Sequence, residues 1–304
     1  MMGWPFFSLV LSKATPLLLA GLGGLISELS GVINFALEGM MLAGAFGAMW
    51  ASFAFETPWA GLLGGLVGGV IIAFFHGVAS LKLRANQIVS AIALNLLAAG
   101  ITGMLLNQVF GVYGTSPTVK RLPELGQFFS TRMPEPSSGF ASSLGQLSVM
   151  VPVALILGLA MLAFFRWTRW GLRLRACGEN PTAAEAAGVA VIQIRFLAVC
   201  VSGALAGLGG AYLAIGELSQ FVEGITQGRG YLAIAALILG RWRPLGVLLA
   251  TLFFGLSQAA SEWLAVQWST LPSQIFLAFP YGICLAILMF HFGKRQPPSA
   301  LGKL

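Results

Sequence analysis

Long apolar runs separated by short polar connections make up most of this 304-residue chain. Each run is close to the length of about 20 residues that an α-helix needs to cross a lipid bilayer. The pattern therefore predicts an all-α, polytopic membrane protein. The runs without any Asp, Glu, Lys or Arg are Gly39–Phe55, Ala60–Ser80, Gln87–Val109, Gln146–Phe165, Phe196–Gly216, Leu245–Ser261 and Gln274–Phe290.

Two further runs are interpreted as membrane helices. Ala14–Leu29 is apolar except near its end, where it carries Glu28, and Gly230–Gly240 is short enough to be a half-helix. Gly31–Leu37 is interpreted as a broken or re-entrant stretch, which is tolerated at membrane depth only where protein or a cavity surrounds it. The predicted count is about nine crossings. Eight or ten stay open, because short and broken helices defeat window counting.

Positive charge falls mainly between the apolar runs and orients them. The net charge is +7, although only 9% of the residues are charged. Because basic residues favour the cytoplasmic side, we expect the protein in a bacterial inner membrane with residues 166–195 and the C-terminus in the cytoplasm. Residues 110–145 are expected outside although they include basic residues, since long loops follow the charge rule weakly. Residues 1–304 are expected to form one domain. The basic residues behind this orientation are Lys82, Arg84, the five arginines between 166 and 195, Arg241, Arg243, Lys294, Arg295 and Lys303.

The composition also predicts a tightly packed bundle. The chain contains 39 glycines, and several are spaced as GxxxG, which allows close approach of helix backbones in lipid. This signal is common in polytopic proteins and says little about function. The spaced pairs are Gly64/Gly68, Gly65/Gly69 and Gly203/Gly207.

The one long polar, basic stretch of the chain ends in a short predicted helix. Asn180 can cap the helix by accepting a backbone N–H, and Pro181 fits the first helical position. Gly188 suits the left-handed residue that ends a helix. A small-faced helix at the surface of a membrane bundle indicates a docking element for a partner protein.

Few polar groups lie within the apolar runs. Asn34 and Glu38 flank the break and would share a face if they were on one helix. Glu38 can either brace the broken helix or take part in transport as a residue of the translocation path. Asn95 can hydrogen-bond a ligand or a neighbouring helix. His76 stands alone on an apolar face and is interpreted as an interhelical hydrogen-bonding group.

The chain lacks the motifs of an enzyme. HExxH, GxSxG and GxxxxGK[ST] are all absent, so any ATP that drives this protein must be bound by another chain. We expect no cofactor and no metal in this chain. The cysteines, at Cys177, Cys200 and Cys284, have no metal-site spacing.

Four stretches together resemble the permease subunits of bacterial ABC importers for nucleosides and simple sugars, over roughly residues 14 to 292. The likeness is greatest to the nucleoside branch. The set is specific, whereas any one stretch alone would be weak. The four stretches are residues 31–41 (GVINFALEGMM), 178–188 (GENPTAAEAAG), 202–212 (SGALAGLGGAY) and 228–244 (GRGYLAIAALILGRWRP).

The resemblance implies a transport subunit with several partners. These are ABC ATPase subunits inside, a second related permease in a heterodimer or homodimer, and an extracytoplasmic substrate-binding lipoprotein. It also implies that residues 166–195 hold the ATPase-coupling helix. The residues that fall on that motif are Glu179, Asn180, Pro181, Ala184 and Gly188.

Nucleosides are the preferred substrates and simple sugars the alternative. A neutral substrate with a flat base calls for aromatic rings, amides and few fixed charges. An ion-coupled secondary transporter is less favoured, because it needs an ion site near the midplane and the only candidates are Glu28 and Glu38. The candidate residues of the translocation path are Asn34, Phe35, Glu38, Phe46 and Asn95.

Overall fold

The structure, a computed structural model, describes residues 4–129, 140–268, 272–290 and 297–303. Within these ranges it is a helical bundle without strands, as predicted. Lys294 and Arg295, which entered the orientation argument, lie outside the described residues. The helices are α1 Trp4–Leu29, α2 Leu37–Phe55, α3 Pro58–Gly77, α4 Gln87–Phe110, α5 Leu125–Phe129, α6 Phe140–Gly145, α7 Met150–Trp167, α8 Arg169–Glu179, α9 Pro181–Ala186, α10 Val191–Ala211, α11 Arg229–Leu239, α12 Pro244–Gln267 and α13 Ser273–Phe290.

Six helical segments of the described chain are long and apolar enough to cross a membrane. Arg229–Leu239 and Gln274–Ala286 are shorter apolar helices, so the half-helix expected near residue 230 is present. The count of about nine crossings stays a prediction. The six long segments are Pro5–Leu29, Pro58–Lys82, Gln87–Phe110, Met150–Trp167, Val191–Leu218 and Pro244–Gln267.

Helix α1 begins about one-third of its length earlier than the predicted run, because a charge inside it is neutralised. Lys13 is 7% exposed and forms ion pairs with Glu217 and Glu262. A paired lysine does not carry the full cost of an isolated charge in an apolar environment. The helix therefore extends from Trp4 instead of starting at the first charge-free residue.

The predicted GxxxG pairs form a close helix crossing. Gly65 and Gly69 of α3 face Gly203 and Gly207 of α10, so closely that a Cβ at Gly69 would overlap the carbonyl oxygen of Gly203. Helix α10 packs extensively on α1, α2 and α3. The small residues thus place α10 at the centre of the bundle, next to the broken stretch.

One end of the bundle gathers three segments that are distant in sequence. Gly302 donates its backbone N–H to the carbonyl of Gly31 (3.0 Å), and Ala300 donates to Gly178 (2.9 Å). This end, called the coupling end below, is formed by residues 30–31, 177–190 and 297–303. The predicted docking segment and the broken stretch are therefore neighbours.

The connection after α4 folds onto the opposite end of the bundle. Ser116 and Phe221 exchange two hydrogen bonds, both 2.9 Å, and Leu122 donates to the carbonyl of Ile215 (2.9 Å). The loop predicted at 110–145 is thus packed against residues 215–222 over its described first part. Residues 130–139 lie outside the described ranges.

Candidate functional site

The buried starts of two helices, α2 and α11, meet through one carboxylate. Glu38, in the first turn of α2, accepts hydrogen bonds from Thr226 Oγ1 (2.6 Å), the Gly228 N–H (2.8 Å) and the Gly230 N–H (2.7 Å). The unpaired N–H groups at a helix start attract an anion. Glu38 therefore caps α11. Of the two roles left open by the sequence, bracing is shown, but of another helix than expected; a role in transport stays a prediction.

The glycines of this contact are required by geometry. Gly228 has φ +80°, a left-handed conformation that favours glycine. A Cβ at Gly230 would lie 2.5 Å from the backbone nitrogen of Glu38. The two glycines in the sequence GRG thus allow α11 to approach the carboxylate. We call the contact of Glu38 with Thr226, Gly228 and Gly230 the half-helix junction.

Asn95 of α4 holds the start of α2 from the other side. Its Oδ1 accepts from the Gly39 N–H (2.8 Å), and its Nδ2 donates to the carbonyl of Phe35 (2.9 Å) and to the hydroxyl of Tyr231 (3.1 Å). Both amide hydrogens and the oxygen have protein partners. Of the two interpretations of Asn95, the structure shows contact with neighbouring segments; a contact with substrate stays a prediction.

The non-helical residues 30–36 obtain hydrogen bonds from distant side chains. Gln87 Oε1 accepts the Ile33 N–H (2.7 Å), and the Ile33 carbonyl lies 3.0 Å from His76 Nε2. Ser27 Oγ donates to the carbonyl of Val32 (3.0 Å). A buried backbone without such partners would be strongly destabilised. His76 Nδ1 also lies 3.2 Å from Ser90 Oγ of α4, so His76 is an interhelical hydrogen-bonding group, as predicted, and in addition contacts this unwound segment.

Two of the predicted path residues lie away from the half-helix junction. Asn34 is fully buried and donates to Ser202 Oγ of α10 (2.8 Å). It precedes α2 instead of sharing a helix with Glu38, so the shared-face expectation is wrong. Phe46 packs edge-to-face against Phe221, with ring centroids 5.5 Å apart. That the five candidates line a translocation path stays a prediction.

Two tyrosines flank the junction on its accessible side, and the sequence reasoning did not select them. Tyr231 and Tyr281 are 46% and 41% exposed. Both rings lie next to Gly228, and the Tyr281 hydroxyl donates to the carbonyl of Gln227. With half-buried Phe35 they provide apolar ring surface beside polar groups that are already paired. Such a surface suits a flat, uncharged ligand.

The second acidic candidate, Glu28, is also held by the protein. It is 4% exposed and accepts a hydrogen bond from the indole N–H of Trp242 (2.6 Å). Trp242 and Arg241 have φ values of +52° and +53°, which cost energy in non-glycine residues. The carboxylate thereby anchors the turn between α11 and α12.

The predicted docking helix is present with its predicted boundaries. Asn180 Oδ1 accepts the Ala183 N–H (3.1 Å), Pro181 is the first helical residue, and Gly188 has φ +78°. Ala184, however, is only 4% exposed and packs against Cys177 and Val191. The expectation that Ala184 presents a small surface to a partner is wrong, because its methyl group faces the chain's own core. The exposed residues of this segment are Thr182, Ala183, Glu185, Ala186, Ala187 and Gly188.

Glu179, the first residue of the predicted coupling set, contacts the chain's C-terminal residues. Its carboxylate accepts hydrogen bonds from the hydroxyl (3.0 Å) and the N–H (3.3 Å) of Ser299. The thiol of nearby Cys177 is buried, and this burial raises its pKa above the usual value. The segment is therefore fixed to the bundle on one face and open on the other.

Comparison with known proteins identifies the family of this chain. Residues 6–288 match the family of permease components of the branched-chain amino acid transport system type. The chain belongs to this permease family. It is a multi-pass membrane protein and the permease subunit of an ABC transporter, a transport component and not an enzyme.

Relatives of the family share nearly the whole chain. The guanosine ABC transporter permease NupQ of Bacillus subtilis is 35% identical over 95% of this chain and 92% of its own. The nucleoside ABC transporter permease NupC of Lactococcus lactis is 34% identical over 96% and 94%. TsgC13 of Haloferax volcanii, named as a glucose ABC transporter permease, is 34% identical over 95% and 93%.

A solved structure shares the fold. It is described as an inward-facing conformation of a metal-chelate type ABC transporter and matches with a TM-score of 0.52. The match covers 94% of this chain and 85% of that chain at 15% identity, so it shows the permease fold alone.

The residues that sequence reasoning missed share one property. Thr226, Gly228, Gly230, Tyr231 and Tyr281 are far from Glu38 in sequence and meet it only through the fold. The signal that could have found part of them is the sequence GRG with its adjacent tyrosine, because closely spaced glycines allow close backbone contact, although they do not identify the partner.

Proposed function

We propose that this permease carries nucleosides through the membrane as part of an ATP-driven importer. The observation that carries the proposal is the similarity, at 34–35% identity and nearly full length, to permeases named for guanosine and for nucleosides. The half-helix junction supports it: rings at Tyr231 and Tyr281 are accessible, whereas the nearby carboxylate is fully engaged with protein donors.

The proposal includes partners and orientation. A second permease of the same family, in a heterodimer, would complete the path, two ATPase subunits would bind and hydrolyse ATP, and an extracytoplasmic lipoprotein would deliver substrate. The coupling end would face the cytoplasm, because residues 166–195 carry five arginines. The C-terminus, which contacts Glu179 at this end, would lie on the same side.

Simple sugars are the second candidate, favoured by the similarity to the Haloferax protein. Sugar hydroxyls are common to both substrate classes, but only a nucleoside offers a flat base to the aromatic rings. Uptake of labelled guanosine and uridine by proteoliposomes of the complete transporter tests the proposal. Competition by unlabelled nucleosides but not by ribose or glucose is the expected result; the reverse order would favour the sugar.

A matched pair of substitutions tests ATPase docking at α9. Ala183→Arg adds bulk on the exposed face, whereas Ala184→Arg disrupts the internal contact with Cys177 and Val191. We expect Ala183→Arg to leave the bundle folded and to reduce copurification of the ATPase, because an unpaired charge is costly at a packed interface. Ala184→Arg should reduce copurification and also lower the melting temperature. Normal copurification with Ala183→Arg would refute docking on this face.

A further inference from the structure

A buried arginine joins three separate segments at the coupling end. Arg195, in the first turns of α10, is only 3% exposed. Its Nε donates to the carbonyl of Ser30 (3.0 Å), its Nη2 to that of Cys177 (3.0 Å) and its Nη1 to that of Lys303 (2.7 Å). Each nitrogen of the guanidinium thus binds a different part of the chain.

Two of these carbonyls belong to helix ends. Ser30 directly follows α1, and Cys177 lies in the last turn of α8. Carbonyls at the end of a helix have no partner within it and carry the negative end of the helix dipole. A cation placed there satisfies both ends at once. The planar guanidinium can donate in several fixed directions, which a lysine ammonium cannot reproduce in the same geometry.

The C-terminal residues add a second connection between the same segments. Gly302 donates to Gly31, Ala300 donates to Gly178, and Ser299 donates to the Glu179 carboxylate. Ala300 is buried at 5% exposure. Residues 297–303 therefore connect the α8–α9 segment to residues 30–36, which lead into α2 and Glu38 of the half-helix junction.

We infer that Arg195 and residues 297–303 form a rigid link that transmits displacement of α8–α9 to the unwound residues 30–36. Arg195 is then a positioning residue for transport, since it acts through backbone groups. The inference rests on the proposed docking of an ATPase at α9. Coupling between distant sites needs a contiguous set of contacts, and this link provides one from the docking helix to the buried start of α2.

The direct test measures a distance in the complete transporter in nanodiscs. Spin labels are placed at Thr182→Cys in α9 and Phe35→Cys before α2, after replacement of the native cysteines. If the link is rigid, trapping with ATP and vanadate leaves this distance unchanged in the parent protein. The distance should change on trapping in Arg195→Gln and in a chain that ends before Pro297.

Function is measured in parallel on unlabelled protein. We expect both variants to retain ATPase binding and basal ATP hydrolysis but to lose substrate stimulation and uptake by about 2- to 30-fold, the range that altered coupling produces. Arg195→Lys should be intermediate. Arg121→Lys, which changes an exposed arginine that donates to one carbonyl, that of Glu217, at the opposite end, should resemble the parent.

The outcomes separate three explanations. A distance that changes equally in the parent and the variants refutes the rigid link. Uptake that falls only in proportion to folded protein, with unchanged distances, means that Arg195 is a structural cap, and the truncated chain checks this with the Arg195 side chain retained. If no nucleoside stimulates the parent, while its distance stays constant and that of the variants changes, the proposed substrate is wrong and the link stands.

Discussion

Two stretches of non-helical backbone precede buried helix starts in this bundle, and they are stabilised differently. Residues 30–36 obtain their hydrogen bonds from side chains of other helices, among them His76, Gln87 and Asn95. Residues 219–223 bond mainly to the backbone of residues 114–119. Residues 224–227 form local turns, such as Gln227 to Gly224, and Thr226 donates to Glu38. The first stretch depends on side chains of other helices, and the second mainly on backbone hydrogen bonds.

This difference also appears in exposure. Val32 and Asn34 are fully buried, whereas Glu223, Gly224 and Gln227 are exposed. Local turns can rearrange without leaving distant polar groups unpaired, which would be costly in the first stretch. We therefore expect residues 30–36 to move as part of a rigid body, and residues 224–227 to adjust to substrate.

The largest expected effect comes from removing a partner of the first stretch. Asn95→Ala leaves the Gly39 N–H and the Phe35 carbonyl without their partner, and buried unpaired groups cost about 1–3 kcal/mol each. We expect the protein to lose about 2–4 kcal/mol of stability, measured by thermal unfolding in detergent. Asn107→Ala, nearer the other end of the same helix, is the control. Full stability with impaired uptake would instead make Asn95 a substrate contact.

A smaller loss is expected at the half-helix junction. Gly230→Ala places a Cβ 2.5 Å from the Glu38 nitrogen, and such overpacking costs about 1–3 kcal/mol. Uptake should fall by more than the loss of folded protein explains, because α11 can no longer reach the carboxylate. Gly100→Ala, where an added Cβ meets nothing within 4 Å, should be neutral or slightly stabilising. Equal behaviour of the two variants would show that the junction tolerates displacement.

A single hydrogen bond of the second stretch should matter less. Thr226→Val removes the 2.6 Å bond to Glu38 but leaves the two backbone donors in place. The expected cost is about 0.5–1.5 kcal/mol, seen as a small shift of the melting temperature. A loss as large as that of Asn95→Ala would contradict the view that the second stretch is held mainly by backbone hydrogen bonds.

The accessibility of the two stretches can be compared without affecting stability strongly. Cysteines introduced at Gln227 and at Ser30 are labelled with a maleimide in folded protein. Gln227→Cys should react readily, and Ser30→Cys, at a fully buried position, slowly. Native Cys177 should also react slowly, because its raised pKa leaves little thiolate near neutral pH. Comparable labelling rates at Gln227 and Ser30 would contradict the difference in accessibility between the two stretches.

Much of the fold and part of the site followed from local patterns. Apolar runs gave the membrane helices because the bilayer fixes their length. Glycine spacing indicated close helix packing, but that α3 meets α10 was decided by the tertiary structure. The helix at Pro181 could be delimited because its cap, first residue and terminal glycine all lie within the segment itself. The start of α1 was missed because the partners of Lys13 are more than 200 residues away in sequence.

The sequence by itself determined which polar residues were exceptional in an apolar chain: Asn34, Glu38, His76 and Asn95. Only the tertiary structure decided what each does, because hydrogen bonds inside a membrane bundle join residues that are far apart along the chain. Asn34 binds α10, Glu38 caps α11, and His76 and Asn95 complete the unwound segment. The orientation of Ala184 was likewise decided by packing, since a short helix of small residues has no apolar pattern that distinguishes its inner face from its outer one.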